Sequence, residues 1–241
     1  MHRGRPTTLR KSVFIFAFLT CVTVAYFKYT EDASFGSIAN PSEKKEIDKL
    51  NTSLREPDGK LCPALDGYEA IDRSPIRSPL VVAEHLIKHA HGKVLLEVGT
   101  RNGDILACVS RFASKVLAVE IDKVYCDRLT GRGLEVLCDD YTKVVLSKLP
   151  SMPQVFFWWP MVASHQNEQW LGHTRDQLSC SGMQPVVIIA FDNQWEPDIE
   201  NKVVMLQKHP TAQEYVIPFN EGTEDRTHGT FSLLHFNPCN L

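Results

Sequence analysis

The stretch from Val94 to Asp122, VLLEVGTRNGDILACVSRFASKVLAVEID, constrains this chain more than any other, because it reads without a break as strand, glycine turn, helix and second strand. Val94 to Val98 is an apolar run of the length that a fully buried parallel strand needs. It stops at Gly99, and Gly99 and Gly103 bracket a turn in which the backbone bends sharply and comes close to a neighbour, a ligand being the first candidate. Ile105, Leu106, Val109 and Phe112 then recur at helical spacing over Asp104 to Ala113, and Asp104 sits where a first-turn carboxylate favours the positive end of a helix. Val116 to Val119 is the second buried strand and ends on Glu120. Glu120 follows Gly99 by 21 residues, the spacing at which a βαβ nucleotide unit puts the acid that grips ribose hydroxyls. The glycines do not complete a GxGxxG pattern, since Arg101 and Asn102 stand where a diphosphate-binding loop needs glycine and open space, which argues against NAD. The same residues also admit a plainer reading, an α/β unit whose glycines serve only a tight turn.

LLEVGTRNGD followed by VLAVEID resembles the first two motifs of the class I S-adenosylmethionine-dependent methyltransferases, in the AVEID form found in the rRNA adenine dimethyltransferases. The resemblance implies S-adenosylmethionine as cofactor. It implies that Glu97 holds the methionine end, that the backbone of the Gly99 and Gly103 loop approaches the cofactor, and that Glu120 takes the ribose. It further implies that Asp139, just after the third strand, bonds the adenine amino group; a cap for a following helix over Thr142 to Leu149 is the competing role.

The remaining elements fall in the order such a domain requires. Ser78-Pro79 opens a helix running through His89, Val124 to Gly131 is a second covering helix, and Leu134 to Cys138 is a third strand. Val155 to Trp159 is the fourth strand, His165 to Leu178 an outer helix, Pro185 to Phe191 a fifth buried strand, and Glu196 to His209 the next helix. Glu214 to Phe219 and Thr230 to Phe236 make a closing pair. The expected fold is therefore α/β, a doubly wound, mostly parallel seven-stranded sheet with a C-terminal antiparallel hairpin, preceded by an N-terminal membrane helix. The fourth strand departs from the adenine-methylating pattern. Where those enzymes carry Asn or Asp, Pro, Pro and an aromatic residue, this chain has Phe157-Trp158-Trp159-Pro160, so the acceptor for a target amine is missing and the substrate is not carried over. The tryptophans read as core residues or as a surface for stacking a flat or sugar-like acceptor. Asp192, at the end of the fifth strand, and His228 are candidate bases toward an acceptor hydroxyl, with a turn-forming role as the alternative for Asp192. Arg77 is a candidate substrate contact.

Val13 to Phe27, VFIFAFLTCVTVAYF, carries no charge and follows Arg3, Arg5, Arg10 and Lys11. As a helix it spans about 22 Å at 1.5 Å per residue, short of a ~30 Å hydrocarbon core, a deficit that snorkelling by Lys11 and Lys28 reduces. The preceding positive charge orients it as a type II signal anchor with the rest of the chain lumenal, in Golgi or ER. Secretion after signal cleavage is the alternative. Residues 1–12 form a cytoplasmic basic tail, 13–28 the anchor, 29–60 a polar stem too poor in large apolar residues to order itself, and 61–241 the methyltransferase-like domain. Asn51-Thr52-Ser53 is a glycosylation sequon in the stem, and six cysteines outside the apolar run allow up to three disulfides or buried thiols.

A formal net charge of -3 gives no basic footprint, so no nucleic-acid partner is expected. No CxxC pair exists, and His85 and His89, four apart on the first helix with His91 beyond, have no visible acid or cysteine partner, so no metal is expected. The chain reads as a membrane-anchored methyltransferase acting on an unidentified acceptor, a hydroxyl of a glycan or small molecule being the class its address suggests. A non-catalytic Rossmann-like interaction module is the alternative. A type II glycosyltransferase fits the layout but lacks the Asp-x-Asp its commonest form requires.

Overall fold

The structure, a computed structural model, describes residues 80–159, 164–180, 184–219 and 229–241. The tail, anchor and stem, with Asn51, Cys62, Arg77, Pro160 and His228, lie outside the described residues. Among the described residues no helix is long and apolar enough to cross a membrane.

Seven strands form one sheet. In chain order the elements are α1 (Leu80–Ala90), β1 (Val94–Val98), α2 (Asp104–Val109), β2 (Lys115–Glu120), α3 (Lys123–Gly131), β3 (Val136–Cys138), β4 (Val155–Trp158), α4 (Ser164–Gln177), β5 (Val186–Asp192), α5 (Glu196–Lys208), β6 (Gln213–Phe219) and β7 (Gly229–Phe236). The strands lie in the order β3-β2-β1-β4-β5-β7-β6. The first five strands in that order are joined by four parallel pairings, and β7 runs antiparallel to both β5 and β6. The expected mixed sheet with its closing hairpin is present.

Strand side chains alternate between the two faces, and both faces are apolar because helices cover both. Leu95, Phe157, Ile188 and Leu233 point to the side packed by Leu86 of α1, Leu106 of α2 and Leu129 of α3. Leu96, Phe156, Ile189 and Leu234 point to the other, against Leu171 of α4 and Met205 of α5. Trp158 is fully buried on this second side and its Nε1 donates to Asn167 Oδ1 at 3.2 Å, so it is a core residue. Trp159 stands edge-on to Phe231, ring centres 5.1 Å apart.

Two local expectations change. The helix expected over Thr142 to Leu149 is replaced by two 3-10 turns, Tyr141–Lys143 and Leu146–Lys148. Between them Val144 and Val145 take extended backbone, the conformation favoured by a β-branched pair, and Val144 is buried against the sheet. The helix expected to run to Ala113 stops at Val109, where Ser110 and Phe112 close turns onto Leu106 and Val109 carbonyls.

Two disulfides tie the edges. Cys126 of α3 is joined to Cys138 of β3, and Cys180, just past α4, is joined to Cys239 in the C-terminal turn. Cys108 is disulfide-bonded as well. The Cys180–Cys239 bond has a sequence separation of 59; a loop of that size restricts the unfolded chain by about 4 kcal/mol in the loop-entropy picture. Replacing both cysteines with serine is expected to lower stability by about 2–4 kcal/mol, read as a lower urea midpoint in non-reducing buffer, with no such difference once both proteins are reduced.

Candidate functional site

In an open parallel sheet, the carboxyl ends of the strands meet an unfilled crevice where the strand order reverses. Here that point lies between β1 and β4, and the chain leaves β1 through the loop Gly99 to Gly103. The pairing Val98↔Val119 sets Glu120 one residue beyond the end of β1 on the adjacent strand. Glu97 and Glu120 therefore lie on the same face of neighbouring strands, and both are buried, at 6% and 4% exposure.

Glu120 organises the loops. Its Oε2 accepts from the Arg101 N–H at 2.8 Å, and its Oε1 from the N–H groups of Ile121 and Asp122 at 2.9 and 3.0 Å. The bond to Arg101 holds that residue at φ 51, a left-handed conformation unusual outside glycine. Such a conformation costs roughly 1–3 kcal/mol, and a hydrogen bond to a charged carboxylate contributes about 1.5–3 kcal/mol, so the bond accounts for the strain. Three of the roughly four acceptor positions of the carboxylate are thereby used. One acceptor position, on Oε2, is left over in this arrangement.

Gly99 and Gly103 differ in what they need. Both have positive φ, 73 and 74. A Cβ at Gly99 would meet nothing within 4 Å, so the backbone there borders open space. A Cβ at Gly103 would collide with Leu129 Cδ2 and crowd Leu134 Cδ1 at 3.1 Å. Gly103 is thus required for packing the start of α2 against α3, independently of any ligand. The loop is strapped from outside by Arg128, which donates to Asn102 Oδ1, and by Arg132, which bonds both the Asn102 carbonyl and Asp104 Oδ1, the latter at 2.7 Å.

Glu97 is one of two acids in this corner, with Asp104, that the fold leaves with a buried oxygen unsatisfied. Its Oε2 is buried without a hydrogen-bond partner. Burial, with Glu120 and then Asp104 adding like charge, pushes its carboxyl up to about 8. Three buried carboxylates crowd one corner, with the Arg132 guanidinium on one of them, an environment suited to a cation.

Asp139 follows Cys138, which is paired with Glu120. It is 56% exposed at the crevice rim, where its Oδ1 accepts from the Asp140 N–H at 2.8 Å and lies 3.7 Å from Lys143 Nζ. The capping role falls to its neighbour: Asp140 Oδ1 accepts from the Thr142 N–H and hydroxyl, which holds the Asp140 carboxyl below the usual range. Asp192 is fully buried and its Oδ1 accepts from the Gln194 N–H at 2.9 Å, the turn-forming role. Ile121, not singled out by sequence, is 74% exposed beside Glu120 and supplies an apolar surface at the rim. Its signal was its place directly after the strand-ending acid, where an apolar residue has no core to enter.

No protein-family model matches the sequence, and a search of curated proteins finds no match. Among solved structures, the chain is similar to a tRNA (m1A58) methyltransferase from Aquifex aeolicus, with 12% identity, 71% of this chain and 73% of that chain covered, and a TM-score of 0.51. An rRNA methylase from Streptococcus thermophilus matches at 12% identity over 67% of this chain and 98% of that one, TM-score 0.46. A precorrin-6y C5,15-methyltransferase from Geobacter metallireducens matches at 13% identity over 64% and 87%, TM-score 0.45. The likeness to the Aquifex enzyme is one of fold: this chain has the seven-stranded Rossmann-like fold of the class I methyltransferases.

The two glycines separate in their stability costs. Gly103→Ala is expected to lower the unfolding free energy by about 2–3 kcal/mol through overpacking and backbone strain, and Gly99→Ala by about 1 kcal/mol through strain alone. Urea unfolding of both variants beside the wild type measures the difference.

Proposed function

We propose that this protein is an S-adenosylmethionine-dependent methyltransferase, held at a membrane by its N-terminal segment with its catalytic domain in the secretory lumen. The observation that carries the reading is the buried, unpartnered Glu97 Oε2 facing the same crevice as the open space at Gly99 and the Glu120 carboxylate.

The residues present fit such a cofactor. Glu97 is a buried acceptor awaiting a cation, and the methionine ammonium is one. The free acceptor position on Glu120 Oε2 suits a ribose hydroxyl, Ile121 offers an apolar surface to a base, and Asp139 is an exposed acceptor at the rim for its amino group. When bound, S-adenosylmethionine supplies an electrophilic methyl group on a sulfonium. The protein's part is to bind and orient: Glu97 and Glu120 fix the two ends across the β1 loop, and the strapped loop holds that spacing. A hydroxyl acceptor from a glycan or small molecule fits a lumenal address. The apolar run Val13 to Phe27 with its preceding basic residues supports the address, as do the Cys126–Cys138 and Cys180–Cys239 disulfides, which persist in oxidising compartments.

Proton linkage tests the cofactor reading. With its carboxyl near 8, Glu97 is mostly protonated at pH 7 in the free protein. A cation binds the ionised form, so binding releases about one proton at pH 7, and affinity rises up to about tenfold per pH unit below the carboxyl's own value and levels off above it. Calorimetry of the full chain with S-adenosylhomocysteine, in buffers of different ionisation enthalpy, reads both effects. Glu97→Gln is expected to flatten the pH dependence and Glu120→Ala to weaken binding at least tenfold. Failure of the wild-type chain to bind S-adenosylhomocysteine at any pH from 6 to 9 overturns the proposal.

A further inference from the structure

Three strands across the sheet from Glu97, three histidines converge. His85 and His89 are four residues apart on α1 and share a face of that helix. His235 is on β7, where it pairs with Ile188 near the start of β5 and with Gln213 at the start of β6. Phe231, Leu233 and His235 alternate onto the face that α1 covers, so the strand period itself delivers the third imidazole beneath the helix.

The separations are those of a ligand set. His85 Nε2 and His235 Nε2 are 2.8 Å apart, and one nitrogen from each of the three rings lies within 4.8 Å of the others. A four-coordinate zinc with bonds of about 2.0–2.1 Å places its donors roughly 3.3 Å apart, within the range already present. The Tyr215 ring closes one side, with centroids 4.4 Å from His235 and 5.4 Å from His85. His85 and His235 are buried, and His89 is half-buried, which leaves solvent access to a fourth position beside it.

We propose that His85, His89 and His235 bind one divalent transition-metal ion of the zinc type, with a water at the fourth position, and that the ion staples α1 to the closing hairpin. The donor set selects the metal class. Three imidazoles without a carboxylate or thiolate suit zinc, cobalt, nickel or copper and not magnesium or calcium. The neutral ring is the form that donates a lone pair to a metal. A direct hydrogen bond between the two close Nε2 atoms serves one pair only, whereas an ion serves all three rings.

The test uses the full chain, stripped with a chelator and freed of it. Zinc titrated in competition with a chromophoric chelator is expected to bind at one equivalent, and cobalt to give the visible absorption of a four-coordinate nitrogen site. X-ray absorption of the zinc-loaded wild type is expected to count three imidazoles, a readout that needs no variant. His89→Gln, at the half-buried position, and His235→Asn are each expected to weaken zinc binding on the order of 100-fold, since even loss of an outer hydrogen bond to a ligand costs 10–100-fold, and to abolish the zinc-dependent rise in melting temperature. Binding unchanged in both variants, fewer than three imidazoles around the bound zinc, or no stoichiometric binding of zinc or cobalt to the wild type overturns the proposal.

Discussion

The Glu120 carboxylate, accepting three backbone N–H groups from two loops, is the interaction on which the site depends. It ends β2, turns the chain into α3 through Ile121 and Asp122, and pulls the Arg101 backbone into a left-handed turn that the side chain would not choose. With that turn fixed, Gly99 borders open space and Glu97 is left buried with one oxygen unpartnered. A carboxylate doing this structural work has little acceptor capacity left over. Under the proposed function, cofactor recognition and loop geometry are coupled through one side chain.

The neighbouring acids extend the coupling. Glu97, Glu120 and Asp104 crowd one corner, and the single guanidinium of Arg132 is bonded to Asp104 rather than to Glu97. Burial and the two neighbouring acids therefore push the Glu97 carboxyl up to about 8, an arrangement that a cationic neighbour would relieve. The Cys126–Cys138 disulfide lies beside this corner, joining α3 to the end of β3 immediately before Asp139. Both the packed face of Gly103 and this covalent link hold α3, so the rim of the crevice is fixed from two directions.

Much of this was legible because short-range rules decide it. Apolar runs such as residues 94–96 and 186–191 have one good fate, burial on both faces, and the turn after β1 needs glycine. The segment 142–149 departs from its expected helix because the β-branched pair Val144 and Val145 favours extended backbone and burial of Val144 holds it there, leaving two short turns. Asp139 and Asp140 read alike in sequence, and only the hydrogen bonds to Thr142 separate the capping residue from the exposed one.

By itself the sequence determined the order and type of the elements, the two acids flanking the glycine loop, and the spacing between them, because strand period, turn chemistry and βαβ length are local properties. The tertiary structure alone decided that Gly103 serves helix packing, that Trp158 is core, and which cysteines pair. It also alone brought His235 to His85, 150 residues apart in sequence. Contacts at that separation depend on where a strand is placed in the sheet and which face its pleat turns to a particular helix, and a single sequence encodes neither locally.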